Sequence, residues 1–446
     1  MYRRLCYSAA LLAFVFPAYA DSTYTDLTLE QCIEIALQKS ASVQEASANI
    51  EEYRARLKEV QANYYPKLNV LTWVAPMFTV QGSALQQTVD RKFDLGSWGP
   101  STHLEALLAM PVYTFGRLEA GENAAEERLK VEQARLRETQ NHVKVEVNKF
   151  YYSHLYAKTI SPHLDDAKKI LDEAQVKANE MYENASGKVT KADLMKLEYG
   201  QTEIQKYLLM AKQGEVLALA ALKHTMGLSD EVNLTLKETS IPKPDRSETL
   251  ASLEELQQFA REHRPEWEQL DHGKKAAASL RRAEKLSALP VLFVAGTFEH
   301  SWTPTRDDTD NPYHFDEYND MFGGVAMGLK LDFDWALTRA KVDAANAKML
   351  QVNALNQLAT TGIPLQIKKA HSDVERYQQQ IALSSKARKA ANKWIVFSAA
   401  AYHSGTGEVK DVLEGLVALL QSKRDYYEGI LNYHIASAEL DYAIGK

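Results

Sequence analysis

Few side chains in this sequence are spaced for catalysis. There is no HExxH or CxxC motif, no P-loop and no nucleophile elbow, and the 12 His are scattered along the chain. An acidic run at 307–311 hints at calcium, but counting a loop from Asp308 places Tyr313 where an EF-hand requires Gly. We therefore expect neither an enzyme nor a bound cofactor or metal ion, and we interpret the acidic run as a solvated loop.

The charge balance argues against a nucleic-acid partner. The chain has 446 residues, with 52 Lys+Arg against 59 Asp+Glu, whereas a nucleic-acid-binding protein would show a basic footprint. With 45% hydrophobic and 25% charged residues, the composition is that of a folded protein. Glu, Ala, Leu, Lys and Gln dominate long stretches and Pro and Gly are sparse, which favours long helices.

Residues 1–20 are predicted to be a cleaved signal peptide. Arg3 and Arg4 precede a short apolar core at 9–16, and Ala18-Tyr19-Ala20 forms a cleavage site. The alternative, a membrane anchor, is disfavoured because the apolar core is too short to span a bilayer. After cleavage Cys32 is the one remaining cysteine, so no internal disulfide is expected.

The rest of the chain is an internal repeat. The two copies align at an offset of 224 residues, which changes to 220 and then to 218. Matched pairs include Leu29 with Leu253, Pro66 with Pro290, Tyr182 with Tyr402, Asp193 with Asp411 and Gly227 with Gly445. We predict a first repeat at 21–228, a linker at 229–251 and a second repeat at 252–446.

Each repeat is predicted to contain a strand pair, a very long helix and a return helix. The predicted elements are strands 68–78 and 103–113 with helices 115–182 and 190–226, then strands 291–302 and 323–333 with helices 335–402 and 408–444. Residues 323–333 alternate apolar and small or polar side chains, and a strand of that length crosses an outer membrane when tilted. An apolar residue recurs every seven positions from Leu129 to Ala178, which indicates coiled-coil packing of a helix roughly 100 Å long.

Two interpretations of the strands compete. An ordinary soluble hairpin is the default, and it fits a second function, a soluble periplasmic coiled-coil scaffold or adaptor without a pore. Membrane strands are favoured because interfacial aromatics flank them and because the helices are too long for a compact domain. The aromatics concerned are Trp73, Trp98, Trp302 and Tyr313.

The sequence resembles the TolC-like outer-membrane efflux proteins from Leu27 to Gly445. The most specific match is the turn motif at 402–413, with Tyr402, Gly405 and Asp411 at the family's spacing. Leu29-Glu30-Gln31 at the start of the mature chain, Pro66 before the first strand and Phe115-Gly116-Arg117 at the first long helix also fit.

This resemblance implies a mainly α protein with a β-barrel part. Three chains would share a 12-stranded outer-membrane barrel, continued by a long periplasmic α-helical barrel. The homotrimer would contact outer-membrane lipid and act as the exit duct of a tripartite efflux or type I secretion system. Its partners would be a periplasmic adaptor (membrane fusion) protein and an inner-membrane transporter of RND, ABC or MFS type. Drug, metal and protein substrates stay open, because the pump sets that choice.

The resemblance also assigns roles to residues at the periplasmic end. Tyr402 and Asp193 match a pair that links the two turns and holds the resting channel closed. Asp411 and Glu414 match acids that form a constriction, since a three-fold axis makes each a ring of three carboxylates. The simpler alternatives are an ordinary helix-end Tyr and Asp, and acids placed only to favour the helix dipole.

The two helix-connecting turns are the implied adaptor-docking tips. Their residues are Ser186, Gly187 and Lys188 in the first repeat and Gly405, Thr406 and Gly407 in the second. Glycine permits the positive φ of a helix-ending turn, so the alternative is that these glycines only reverse the chain.

Overall fold

The computed structural model describes residues 23–82, 92–184, 189–244, 250–308, 313, 316–332 and 334–446. The predicted signal peptide at 1–20 lies outside these residues. In chain order the elements are β1 Tyr24–Leu27, α1 Leu29–Lys39, α2 Ala41–Gln61, a 3-10 turn Ala62–Tyr64, β2 Lys67–Gln81, β3 Lys92–Tyr113, α3 Arg117–Glu183, α4 Lys191–Thr225, β4 Leu234–Leu236, α5 Leu253–His263, α6 Pro265–Leu286, β5 Val291–Trp302, β6 Asp320–Lys330, α7 Trp335–His403 and α8 Val409–Ile444.

The order of two helices, two strands, a long helix and a return helix occurs twice. The long helices α3 and α7 have 67 and 69 residues, so their length follows the prediction closely. The chain divides into two compact units, one made of Met1–Gln44, Thr139–His263 and Leu365–Lys446, the other of Glu45–Glu138 and Arg264–Pro364. No helix of the described residues is long and apolar enough to cross a bilayer.

The first unit is a helical bundle with a coiled-coil core. Five positions of the predicted seven-residue repeat in α3 are buried: Val143, Ala157, Leu164, Leu171 and Ala178. Helices α7 and α8 approach closely at Gly415, where an added Cβ would lie 3.2 Å from the Ile395 Cα. The core continues through Leu197 of α4 and Leu416 of α8. The heptad pattern therefore identifies the packed face of α3 correctly.

A small two-stranded parallel sheet also belongs to this unit. Strand β1 pairs with β4 through Tyr24 with Leu234 and Leu27 with Leu236. Beside it, α4 ends in a left-handed turn at Gly227, whose N–H bonds to the His224 carbonyl. A Cβ at Gly227 would lie only 2.2 Å from the Lys39 carbonyl oxygen, so this position requires glycine. The last residues of α8 repeat the turn at Gly445.

The second unit is built on a four-stranded antiparallel sheet in the order β2-β3-β5-β6. β3 begins at Lys92 rather than at the predicted 103, because its pairing with β2 continues to Gln81. β6 runs from Asp320 to Lys330 rather than over 323–333. Its pairing ends at Lys330 because the partner residue Val291 is the first of β5, directly after Pro290, which has no N–H to donate.

Candidate functional site

One face of the sheet is apolar and open to its surroundings. Register pairs place Leu108 of β3, Gly296 of β5 and Val325 of β6 side by side on this face. Val325 is 83% exposed and Met327 is 70% exposed, values far above those of an ordinary protein core. We call this the apolar face; its other exposed members include Leu68, Val70, Val74, Leu108, Met110, Phe298, Trp302, Met321 and Leu329. A continuous apolar surface of this kind marks a contact with lipid or protein.

The opposite face, here called the polar face, carries titratable side chains among apolar ones such as Leu71, Leu107 and Phe322. Glu105 of β3 is the register partner of Glu299 of β5. His103 Nδ1 lies 2.9 Å from the Ser301 hydroxyl, and its ring stacks on Trp73 at 5.4 Å between centroids. Trp73 was expected among the interfacial aromatics, but it lies on the polar face. Such alternation of apolar and polar faces is the pattern of a membrane β-barrel wall.

The turn between α7 and α8 is a regular helix-ending motif. Gly405 has φ +78°, its N–H bonds to the Tyr402 carbonyl, and the Thr406 N–H bonds to the Ala401 carbonyl. These two bonds define a Schellman motif. Gly407 is required for a different reason, since a Cβ there would lie 2.9 Å from both the Ala401 Cβ and the Tyr402 nitrogen. Thr406 is the exposed tip. Ser186, Gly187 and Lys188 of the other predicted tip lie outside the described residues.

The return helices begin differently in the two repeats. In α4, the Thr190 hydroxyl accepts from the Asp193 N–H at 3.3 Å, and the Asp193 carboxylate accepts from the Thr190 N–H at 3.0 Å. This reciprocal arrangement is a capping box. Hydrogen bonds from Thr190, followed by a contact with Lys196, hold the pKa of the Asp193 carboxyl below its ordinary value. In α8 the equivalent N-cap is Glu408, which makes no side-chain cap hydrogen bond.

Tyr402 and Asp193 lie close together but make their hydrogen bonds with other groups. The Tyr402 hydroxyl, on a buried ring, lies 3.5 Å from the Met181 sulfur. Burial and then the negative charge of Asp193 raise the pKa of Tyr402. The two groups of the predicted link therefore lie near each other within a single chain. The Asp193 carboxylate, however, is hydrogen-bonded in the capping box of α4.

Asp411 and Glu414 are both exposed near the start of α8. Glu414 faces Lys410 at 3.8 Å, one helical turn away. Val412 and Leu416 of the same helix are buried in the core of this unit. The two acids therefore lie on the side of α8 that faces away from the core of the single chain. In the described residues no group of three or more His, Cys, Asp or Glu is arranged to hold a metal ion.

Comparison with known proteins identifies the fold. Residues 32–227 match the model of the outer membrane efflux protein family. No curated protein matches in sequence. The outer-membrane channel OprN superposes with a TM-score of 0.76 at 14% identity, over 96% of this chain and 94% of that chain. The Campylobacter jejuni CmeC outer membrane channel gives 0.77 at 15% identity, over 96% and 90%.

The Neisseria gonorrhoeae MtrE outer membrane channel, solved in its open state, gives a TM-score of 0.69 at 17% identity, over 95% of this chain and 90% of that chain. The resemblance to TolC-like outer-membrane efflux proteins is therefore confirmed. Taken together, the family match and the fold support an outer-membrane efflux channel.

Proposed function

We propose that this chain, which matches the outer membrane efflux family in sequence and outer-membrane channels in fold, forms a trimeric exit duct. The observation that carries the proposal is the sheet with one exposed apolar face and one polar face. Within the described residues, the end strands β2 and β6 each have an edge that pairs with no other strand, apart from the bridge between Val80 and Arg306. Unpaired backbone groups cannot face lipid, so the sheet must close with strands from further copies.

Three copies supply twelve strands, an even number within the range of outer-membrane barrels. With strands about 4.8 Å apart and tilted by about 40°, such a barrel has a backbone diameter of about 24 Å. The apolar face then contacts lipid and the polar face lines the lumen. Two copies would also give an even number, so the choice of three follows the family.

The long helices would form the periplasmic part of the duct, joined to an adaptor and an inner-membrane pump. The turn at Gly405, Thr406 and Gly407, together with Ser186, Gly187 and Lys188, is the proposed adaptor-docking tip. In cells, crosslinking from Thr406→Cys or Ser186→Cys should capture the adaptor, against little background because Cys32 is buried. Glu203→Cys in the middle of α4 is the control, and crosslinks from that position alone would contradict docking at the tips.

The periplasmic entrance is proposed to be closed at rest. Tyr402 and Asp193 would link the two turns, and Asp411 with Glu414 would form rings of carboxylates around the three-fold axis. The exposure of both acids supports this, because exposed carboxylates are accessible to solutes.

The proposed function is tested by the molecular mass of the purified protein and by its conductance in bilayers. Protein purified from the outer membrane in detergent should have the mass of three mature chains, and planar bilayers should show discrete pores. A monodisperse, water-soluble monomer with no conductance would instead indicate a periplasmic scaffold.

A further inference from the structure

The connection that follows β5 is fastened across the sheet. Its first residues, 303–307, are here called the strap. The Thr305 carbonyl accepts a hydrogen bond from the Val80 N–H at 3.1 Å, and Arg306 forms a parallel bridge with Val80. Val80 belongs to β2, which is separated from β5 by β3 in the sheet order. The strap therefore reaches past its neighbouring strand to the next one.

The strap lies on the polar face. The Thr303 and Ser101 hydroxyls are 2.6 Å apart, and a Cβ at Gly99 would lie 2.4 Å from Thr305 Cγ2. Ser101 and Thr303 are 2% and 1% exposed, whereas Trp302, which points to the apolar face, is 49% exposed. The strap of a single chain therefore covers the polar face at one end of its own sheet.

Several contacts hold the strap in this position. Asn319 accepts from the Thr303 N–H at 2.7 Å, and the Asp307 carboxylate accepts from the Gly82 N–H at 2.6 Å. The Arg306 guanidinium lies between two rings, 5.3 Å from the centroid of Phe78 and 4.7 Å from that of Tyr318. Arg306 is thus the side chain that anchors the strap to the β2–β3 hairpin.

The closed position also leaves polar groups without partners. Among the described residues, Thr305 Oγ1 and Arg306 Nε are buried and make no hydrogen bond. Both groups would gain access to bulk water if the strap moved away from the sheet. The strap is held on the sheet by specific contacts, but it also buries polar groups that water could reach in an open position. Such a segment is suited to both a closed and an open position.

We propose that the strap is an outer gate, which closes the extracellular end of the lumen independently of the periplasmic entrance. The proposal rests on the proposed trimeric channel, in which the polar face lines the lumen. The strap is hydrogen-bonded to β2 and packed on β3, so three copies would occupy the inner wall at one end of a barrel of about 24 Å and narrow the lumen there.

The experiment compares the conductance of strap variants in planar bilayers. Arg306→Ser removes the anchor, and we expect roughly a twofold or larger increase in single-channel conductance because the narrowest section widens. Gly99→Ala should act alike, since its Cβ displaces Thr305, and the double variant Gly99→Ala, Thr305→Ala should return to the wild-type value. Lys330→Ser is the matched control, because it removes an equal charge from the other end of the same face.

A reversible disulfide between the strap and β2 provides the second measurement. In Val80→Cys, Arg306→Cys, oxidation with copper phenanthroline should hold conductance at or below the wild-type value, and dithiothreitol should raise it to that of Arg306→Ser. Trimers on gels verify that each variant assembles. Pores of equal conductance in all these variants would overturn the outer gate while leaving the channel intact. Absence of pores from every variant and from the wild type would overturn the proposed channel itself.

Discussion

At the scale of single residues, Asp411 and Glu414 differ from Asp193 in what they are free to do. The Asp193 carboxylate completes the capping box of α4, whereas the N-cap of α8, Glu408, makes no such bond. Asp411 is therefore available to a solute in a way that Asp193 is not. A ring of three such carboxylates would attract multivalent cations most strongly, because the attraction scales with charge.

Replacing both acids tests this role. In Asp411→Ala, Glu414→Ala, block by a trivalent metal complex added on the periplasmic side should weaken at least about tenfold, a loss of about 1.4 kcal/mol of binding free energy. Single-channel titrations measure it. Asp425→Ala, a half-buried acid farther along α8, is the control and should leave the block unchanged. If the block persists while trimers melt earlier, the acids act as helix-end stabilisers.

Tyr402 and Asp193 form the second pair at this scale. Tyr402→Phe with Asp193→Ala should raise conductance, because loss of the link proposed for the closed trimer would remove roughly 1 kcal/mol per chain from the closed state. Asp193→Ala also weakens the start of α4, so Thr190→Ala is the matched control: it breaks the same cap but keeps the carboxylate. An equal rise in Thr190→Ala would show that helix fraying, rather than the link, opens the channel.

At the scale of elements, the ends of the return helices are fixed by glycine. Gly227 has φ +68° and its missing Cβ makes room for the Lys39 carbonyl of α1. Gly227→Ala should lower the free energy of unfolding by about 2–4 kcal/mol, through backbone strain and steric overlap. Thermal or denaturant unfolding in detergent measures the change.

The same helix provides the control for this prediction. Gly214 lies inside α4, and a Cβ there would meet no atom of the described residues within 4 Å. Gly214→Ala should therefore stabilise the helix by roughly 0.5–1 kcal/mol. Equal effects at the two glycines would contradict the assignment of Gly227 to the close approach.

The long helices could be predicted from the sequence, but the exact ends of the strands and the side-chain contacts between them could not. Period-seven apolar residues identified the buried face of α3, because coiled-coil packing is a local, repeating property. The distal half of the β2–β3 hairpin was missed, since Gly96, Gly99 and Pro100 interrupt its alternation. Trp73 was assigned to an interface, but its stacking on His103 depends on the register between strands, which no local pattern encodes.

At the scale of the whole molecule, the two faces of the sheet should tolerate charge very differently. Val325 and Ala326 are adjacent in β6 and point to opposite faces. Val325→Arg would place a charge in lipid at a cost of about 2–4 kcal/mol per chain near the midplane, tripled in a trimer. We expect it to deplete trimers from the outer-membrane fraction.

Ala326→Arg is the matched variant on the polar face. It should assemble in the outer membrane at near wild-type levels, because a lumen side chain stays hydrated. Quantifying heat-sensitive trimers in membrane fractions distinguishes the two variants. Equal depletion by both substitutions, or by neither, would contradict the assignment of the apolar face to lipid.

The pairing of β1 with β4 has a consequence for the order of folding. Thr235 accepts a hydrogen bond from the Asp26 N–H across a separation of 209 residues. Closing a loop of that length costs roughly 5 kcal/mol of chain entropy. If the predicted signal peptide directs export from the N-terminus, β1 stays an unpaired edge until the whole first repeat has emerged. Until β4 arrives, β1 is therefore an edge open to aggregation and proteolysis, and a chaperone that covers it would be useful in that interval.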